Sequence, residues 1–293
     1  LEIYDISKNA VTSAVPIGNI GLEWTVAGFG DFSGSANETD MLMSNSNTGA
    51  FELYDISNNK VTSASALAIT YPMGTVASQW TVAGFGDFSG NSGESDMLLR
   101  ATTGPDAGDF EVYDILNNKV TSSGFLAWEP LTFQVAGFGD FSGNANETDM
   151  LLRNSNTGAF EVLDISNNAN TSAVSMGQVG LEWTVAGFGD FSGNANETDM
   201  LMRNSITGVF EVYDISNNAV TSATSPGQVG LEWQVGGFAA YAPTSPADPP
   251  AALTGQLVQA VASFGASGAA SNAQGAILGA ADASPQSLLA APH

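Results

Sequence analysis

The chain contains no cysteine, so no disulfide staples it and no thiolate can act as nucleophile or metal ligand. Its stability must come from an apolar core, from bound metal ions, or from both. Basic residues are scarce: 6 Lys and Arg stand against 30 Asp and Glu, for a net charge of −24. Such a field repels nucleic acid and anionic membrane surfaces, and it attracts cations. Histidine is reduced to His293 at the last position, and no GxSxG, HExxH or phosphate loop occurs, so the familiar enzyme signatures have no footing. No apolar run approaches the roughly 18 residues needed to span a bilayer. A leader pattern is missing too. The opening phrase LEIYDISKN is already the middle of a repeat, which reads as a fragment or processed product of a longer chain.

What the chain does have is one sentence written four times. VAGFGDFSGxxxExDML begins at Val26, Val82, Val135 and Val185, and an eroded copy, VGGFAAY, begins at Val235. The phrase FEVYDISNN recurs in step with it at Leu1, Phe51, Phe110, Phe160 and Phe210. Of the 30 acids, 25 fall at fixed repeat positions: 12 around the loop after VAGFG, ten in the FEVYDI phrase and three in LEW. The charge is therefore a property of the repeat. The period is 50 to 56 residues, with extra length between units near 71–78 and 104–108, where loops tolerate it. In the fourth unit four strand-like stretches (183–191, 199–204, 210–215, 220–223) are separated by SGNANET, SITG and SNNA, rich in turn formers. FEVYDI places apolar residues on both faces, as suits a sheet packed on both sides.

Four short antiparallel strands repeated every 50 or so residues predict an all-β chain of propeller blades. The competing architecture is an open β-solenoid, whose coils are shorter and strands parallel. At the N-terminus, residues 1–6 and 11–14 supply a third and fourth strand, and 233–241 supplies a first. Together they would form a composite fifth blade lacking one strand. The expected domains are a repeat propeller over 1–241, a Pro-rich linker over 242–252, and a tail over 253–293 with one short helix at 253–264.

The loop after VAGFG is the candidate site. Oxygen-bearing side chains recur at alternate positions and an Asp closes each loop: Asp31, Ser33, Ser35 and Asp40; Asp87, Ser89, Asn91 and Asp96; Asp140, Ser142, Asn144 and Asp149; Asp190, Ser192, Asn194 and Asp199. The backbone carbonyls of Asn37, Gly93, Asn146 and Asn196 would complete the sets. A hard cation such as Ca²⁺ wants six to eight oxygens at one point, and a tight loop can turn every second residue inward. Glu38, Glu94, Glu147 and Glu197 are further carboxylates that either join the site or solvate the loop. The plainer alternative is a polar turn whose Asp and Asn bond their own backbones.

GDFSGNANETDML resembles the FG-GAP or VCBS-type repeat of integrin-like propellers of secreted bacterial proteins, whose core reads roughly GDFNGDGxxDLL. The resemblance covers about residues 1–241 and rests on the FG, GDF and D-[ML]-L elements recurring together. It implies a loop between the first two strands of a blade that binds Ca²⁺. This loop is one residue longer, and Ser and Asn replace the family's inner acids, so the implied affinity is weak, about 10⁻⁴–10⁻³ M.

Trp24, Trp80, Trp183 and Trp233, with Phe133 in the third copy, lead the first strands. They are read as packing between blades, against the alternative of a sugar-stacking ring. Arg100, Arg153 and Arg203 follow DML in three copies and are expected to pair with neighbouring carboxylates. A catalytic centre is one asymmetric constellation, so near-identical copies argue against an enzyme. The expected function is a secreted, calcium-stabilised module for extracellular adhesion or matrix building, with Ca²⁺ and copies of itself or glycans as partners. A multivalent lectin is the alternative, and a polysaccharide-acting hydrolase stands third. The Ala/Ser/Leu-rich tail is similar to C-terminal export signals.

Overall fold

The computed structural model describes residues 1–7, 10–35, 38–71, 77–91, 93–144, 148–194 and 198–235. Within them the chain is all-β apart from a 3-10 turn at Ala77–Gln79. A hairpin of β1 (Glu2–Ser7) and β2 (Ala10–Pro16) is followed by four sheets of four antiparallel strands. The first sheet holds β3 (Trp24–Gly30), β4 (Asp40–Asn45), β5 (Phe51–Ser57) and β6 (Lys60–Leu67). The second holds β7 (Trp80–Gly86), β8 (Ser95–Ala101), β9 (Asp109–Leu116) and β10 (Lys119–Trp128). The third holds β11 (Phe133–Gly139), β12 (Asp149–Asn154), β13 (Ala159–Ser166) and β14 (Ala169–Gln178). The fourth holds β15 (Trp183–Gly189), β16 (Asp199–Asn204), β17 (Val209–Ser216) and β18 (Ala219–Gln228). Every sheet is a simple meander in chain order, the topology of a propeller blade. The composite fifth blade needs residues 236–241, which lie outside the described residues, as do the linker, the short helix and the tail.

Local chemistry explains each junction. The third and fourth strands meet at an Asn-Asn turn, and both residues have positive φ, as at Asn117 (51°) and Asn118 (60°). A two-residue type I′ hairpin requires that conformation, which Asn tolerates better than most residues. One step into each fourth strand the register shifts, so that Ile115 and Asp114 face Val120 and Ser122 with Thr121 left over. The bulged threonine donates its hydroxyl to the Asp114 carbonyl at 3.2 Å, satisfying an acceptor the bulge would orphan. The fourth strands run on to Gln178 and Gln228, longer than the sequence pattern predicts, because their exposed outer residues carry no apolar period to mark the end.

The core lies between the sheets. Strand β9 alternates strictly: Tyr113 and Ile115 pack towards the first sheet, in a cluster with Phe32, Leu42 and Leu53. Phe110 and Val112 pack towards the third sheet, with Met150, Leu152 and Leu163. Both faces are thus apolar, as the FEVYDI pattern requires. Consecutive first strands meet, β3 with β7, β7 with β11 and β11 with β15. There the glycine of VAGFG has a specific task. A Cβ at Gly84 would stand 2.1 Å from the Phe138 ring, and Gly28 and Gly137 meet Phe85 and Phe188 in the same way. Each such ring also packs edge-on against a loop phenylalanine of the preceding sheet, as Phe88 with Phe138 at 5.5 Å and 63°. Trp80 is buried in the first cluster, Phe133 and Trp183 pack on the second and third, and Trp233 is 65 % exposed.

The arginines differ from expectation. Arg100 donates to the carbonyls of Phe133 and Pro130, Arg153 to those of Trp183 and Gly180, and Arg203 to those of Trp233 and Gly230. Each guanidinium also lies over a ring, Phe110, Phe160 or Phe210. They fasten the linker leading to the next sheet through its carbonyls, with the charges of Glu129 and Glu182 acting on Arg100 and Arg153 without a direct hydrogen bond among the described residues.

Candidate metal centre

All four loops are built alike from the sequence up. The closing Asp sits at the start of the second strand, pointing back under the loop, and one of its oxygens receives two backbone N–H groups. Asp40 Oδ2 accepts from Phe32 and Ser33, Asp96 from Phe88 and Ser89, Asp149 from Phe141 and Ser142, and Asp199 from Phe191 and Ser192. The opening Asp caps the turn: Gly34, Gly90, Gly143 and Gly193 donate to Asp31, Asp87, Asp140 and Asp190. The serine hydroxyls at Ser33, Ser89, Ser142 and Ser192 accept from the N–H two residues on, in Ser35, Asn91, Asn144 and Asn194. These bonds are the Asx and serine turns of the plainer alternative. Ser35, Asn91, Asn144, Asn194 and Gly93 lie on the exposed lip. Asn37, Asn146 and Asn196, with Glu147 and Glu197, lie outside the described residues.

Those turns leave something over. The closing aspartates are fully buried, and among the described residues Oδ1 of Asp40, Asp96 and Asp149 has no hydrogen-bond donor. In the second sheet the Asp96 carboxylate has company. Glu94, Asp96 and Asp114 bring one carboxylate oxygen each within 4.8 Å of one another. Oxygens bound to one Ca²⁺ at about 2.4 Å stand at most about 4.8 Å apart, so the spacing is that of a shared ligand sphere. The cluster can hold a metal ion. Ser89 donates its hydroxyl to Glu94 at 2.5 Å and the Asn91 amide donates to the same oxygen at 2.9 Å, which holds Glu94 over the site. Burial raises Asp96 from the usual 3.8 to about 7, with the neighbouring charges of Asp114 and Glu94 adding to it and the Ser89 and Phe88 amides opposing. Asp149 is raised to about 6 for the same first reason, with Asp164 adding. A buried carboxylate in this state is relieved either by a proton or by a cation.

Asp114 was not among the residues the loop pattern singled out. It comes from the third strand and stands directly opposite Asp96 in the β8–β9 register. Its carboxylate is gripped from the next sheet by the side-chain amide of Asn168, at 2.7 and 2.8 Å. The same grip recurs at every seam, Asn59 on Asp5, Asn118 on Asp55 and Asn218 on Asp164. A sequence signal existed: the Asp of FEVYD stays in step with the Asp of DML, and a meander pairs those strands. Two acids directly opposite on neighbouring strands are unfavourable unless something positive relieves them.

No family model matches the chain, and no curated protein matches it. Among solved structures there is distant similarity to β-propeller proteins. The dihydro-heme d1 dehydrogenase NirN, solved in complex with DHE, overlaps with a TM-score of 0.39 and 11 % identity, over 77 % of this chain and 43 % of its own. This chain thus spans under half of that protein's length. A quinoprotein alcohol dehydrogenase-like protein from Bacteroides thetaiotaomicron overlaps at 0.27 and 8 % identity, over 71 % of this chain and 67 % of its own. Overlaps this loose carry no argument about the site or the activity.

Proposed function

We propose that the chain is a calcium-stabilised repeat module of a secreted protein, serving extracellular adhesion or matrix assembly and not catalysis. The observation that carries the metal part is the fully buried Asp96, which lies beside the carboxylates of Glu94 and Asp114 and whose Oδ1 has no donor among the described residues. All the donors at hand are hard oxygens, carboxylates with a serine hydroxyl beside them, which is Ca²⁺ or Mg²⁺ chemistry. Flexible carboxylates from a loop and two strands favour the larger ion, whose coordination is less demanding. Extracellular fluid supplies Ca²⁺ at the millimolar level that a weak module of this kind uses. The absence of cysteine and the net charge of −24 support a chain exported unfolded and folded by external cations. The test is thermal melting with EDTA and with millimolar Ca²⁺. A higher midpoint in Ca²⁺ is expected, and an unchanged one leaves only polar turns.

One observation keeps a lectin in second place. Two equivalent grooves lie between neighbouring first strands, one lined by Thr81, Arg100, Leu131 and Gln134, the other by Gln134, Arg153, Leu181 and Thr184. A glycan array separates the readings, since several related hits favour the lectin and silence favours the structural module.

A further inference from the structure

We propose that a divalent cation held by Glu94, Asp96 and Asp114 clasps the second sheet to the third, with Asn168 as its positioning residue. The inference rests on the calcium reading and adds where the ion acts. In the alternation of β9, Asp114 shares a face with Phe110 and Val112, which pack against the third sheet. In β8, Asp96 shares a face with Leu98, which joins the same cluster. The carboxylates therefore sit on the side of the sheet turned towards its successor.

Asn168 arrives there from the type I′ turn between β13 and β14, at φ 60°. Its backbone N–H donates to the Phe88 carbonyl at 2.8 Å, and its side-chain amide donates to both oxygens of Asp114. Phe88 and Asp114 are tied to the cluster in turn: the Phe88 N–H bonds Asp96 Oδ2 at 2.7 Å, and Asp114 is itself a ligand. A cation on Asp96 thus fixes both anchor points that Asn168 uses. Asn168 Oδ1 is a second buried oxygen with no donor among the described residues, on the same amide that holds Asp114. A hydrogen-bonded group behind a metal ligand orients it, and losing such a group typically lowers affinity about 10–100-fold. Reciprocity then requires the ion to tighten the seam to the same degree.

The test is calcium titration calorimetry on the full chain, paired with hydrogen exchange. Asp96→Asn should remove one class of calcium site. Asn168→Ala should weaken that class by about 10-fold or more, while Asn218→Ala, at the next seam, should leave it unchanged. In the unmutated chain Ca²⁺ should slow exchange of the Asn168 amide, and in Asp96→Asn it should not. This arm needs no change at Asn168, so poor folding of Asn168→Ala cannot blunt the test. If Asp96→Asn leaves the isotherm untouched, the calcium reading fails at this site and the clasp with it. If Asp96→Asn removes a site while Asn168→Ala keeps full affinity and Ca²⁺ does not slow the Asn168 amide, calcium stands and the clasp is overturned.

Discussion

Adding one methyl group at Gly84 should part the second and third sheets. The Cβ of Gly84→Ala would fall 2.1 Å from Cε2 of Phe138 and 2.6 Å from Cζ, far inside van der Waals contact. Phe138 cannot step aside freely, because it also packs edge-on against Phe88 at 5.5 Å. Overpacking a filled core costs about 1–3 kcal/mol, and losing the aromatic pair geometry adds about 0.5–1.5 kcal/mol. The conformational advantage of Ala over Gly in a strand returns about 0.5–1 kcal/mol. A net loss of about 0.5–4 kcal/mol follows, centred near 2 kcal/mol, or roughly 4–8 °C of melting midpoint at that centre. The control is Gly124→Ala in β10, where a Cβ meets nothing within 4 Å, so the midpoint should hold or rise by about 1–4 °C. Calorimetry and urea melts of both variants provide the assay, with Gly84→Ala/Phe138→Ala as the coupled pair, less damaging than the sum of its parts. Equal midpoints for Gly84→Ala and Gly124→Ala would refute the glycine–phenylalanine seam.

The turn asparagines should separate conformation from contact. Asn167→Gly keeps the positive φ and loses only a bond to Ser166, so its stability should stay within about 0.5 kcal/mol. Asn168→Gly also drops the bonds to Asp114 and should lose about 1.5–3 kcal/mol in urea melts. Arg153→Met removes charged donors from the Trp183 and Gly180 carbonyls, and its melting midpoint should fall by several degrees. In EDTA, stability should rise as pH falls. Asp96 is raised from 3.8 to about 7 in the folded chain, so its penalty is full above pH 7, shrinks as pH drops through that value, and is gone below about 4. Saturating Ca²⁺ should abolish or reverse that slope between pH 8 and 5, because the ion competes with the proton. Melting curves across pH with and without metal check the sign.

The blades were legible because each unit announces its strands by turn residues, and a 50-residue period leaves few architectures. The loop aspartates were legible as a group, but the closing position differs from the lip positions only in space: Asp96 is fully buried while Asn91 and Gly93 are exposed. Asp114 was hidden because its partnership crosses strands, and no loop pattern reports a residue that stands opposite. The arginines misled for a related reason. An acid-rich sequence invites an ion pair, yet the hydrogen bonds of Arg100 and Arg153 go to linker carbonyls. The need for Gly84 was equally invisible, since a ring from the next unit, not a turn, forbids its side chain.

The most direct measurement is anomalous diffraction from crystals grown in millimolar Ca²⁺, or soaked with Tb³⁺ in its place. A peak about 2.4 Å from oxygens of Glu94, Asp96 and Asp114, in contact with the Asp96 oxygen that lacks a donor, is the predicted result. Density showing the three carboxylates bonded only to one another or to water, with no anomalous signal at saturating metal, would contradict it.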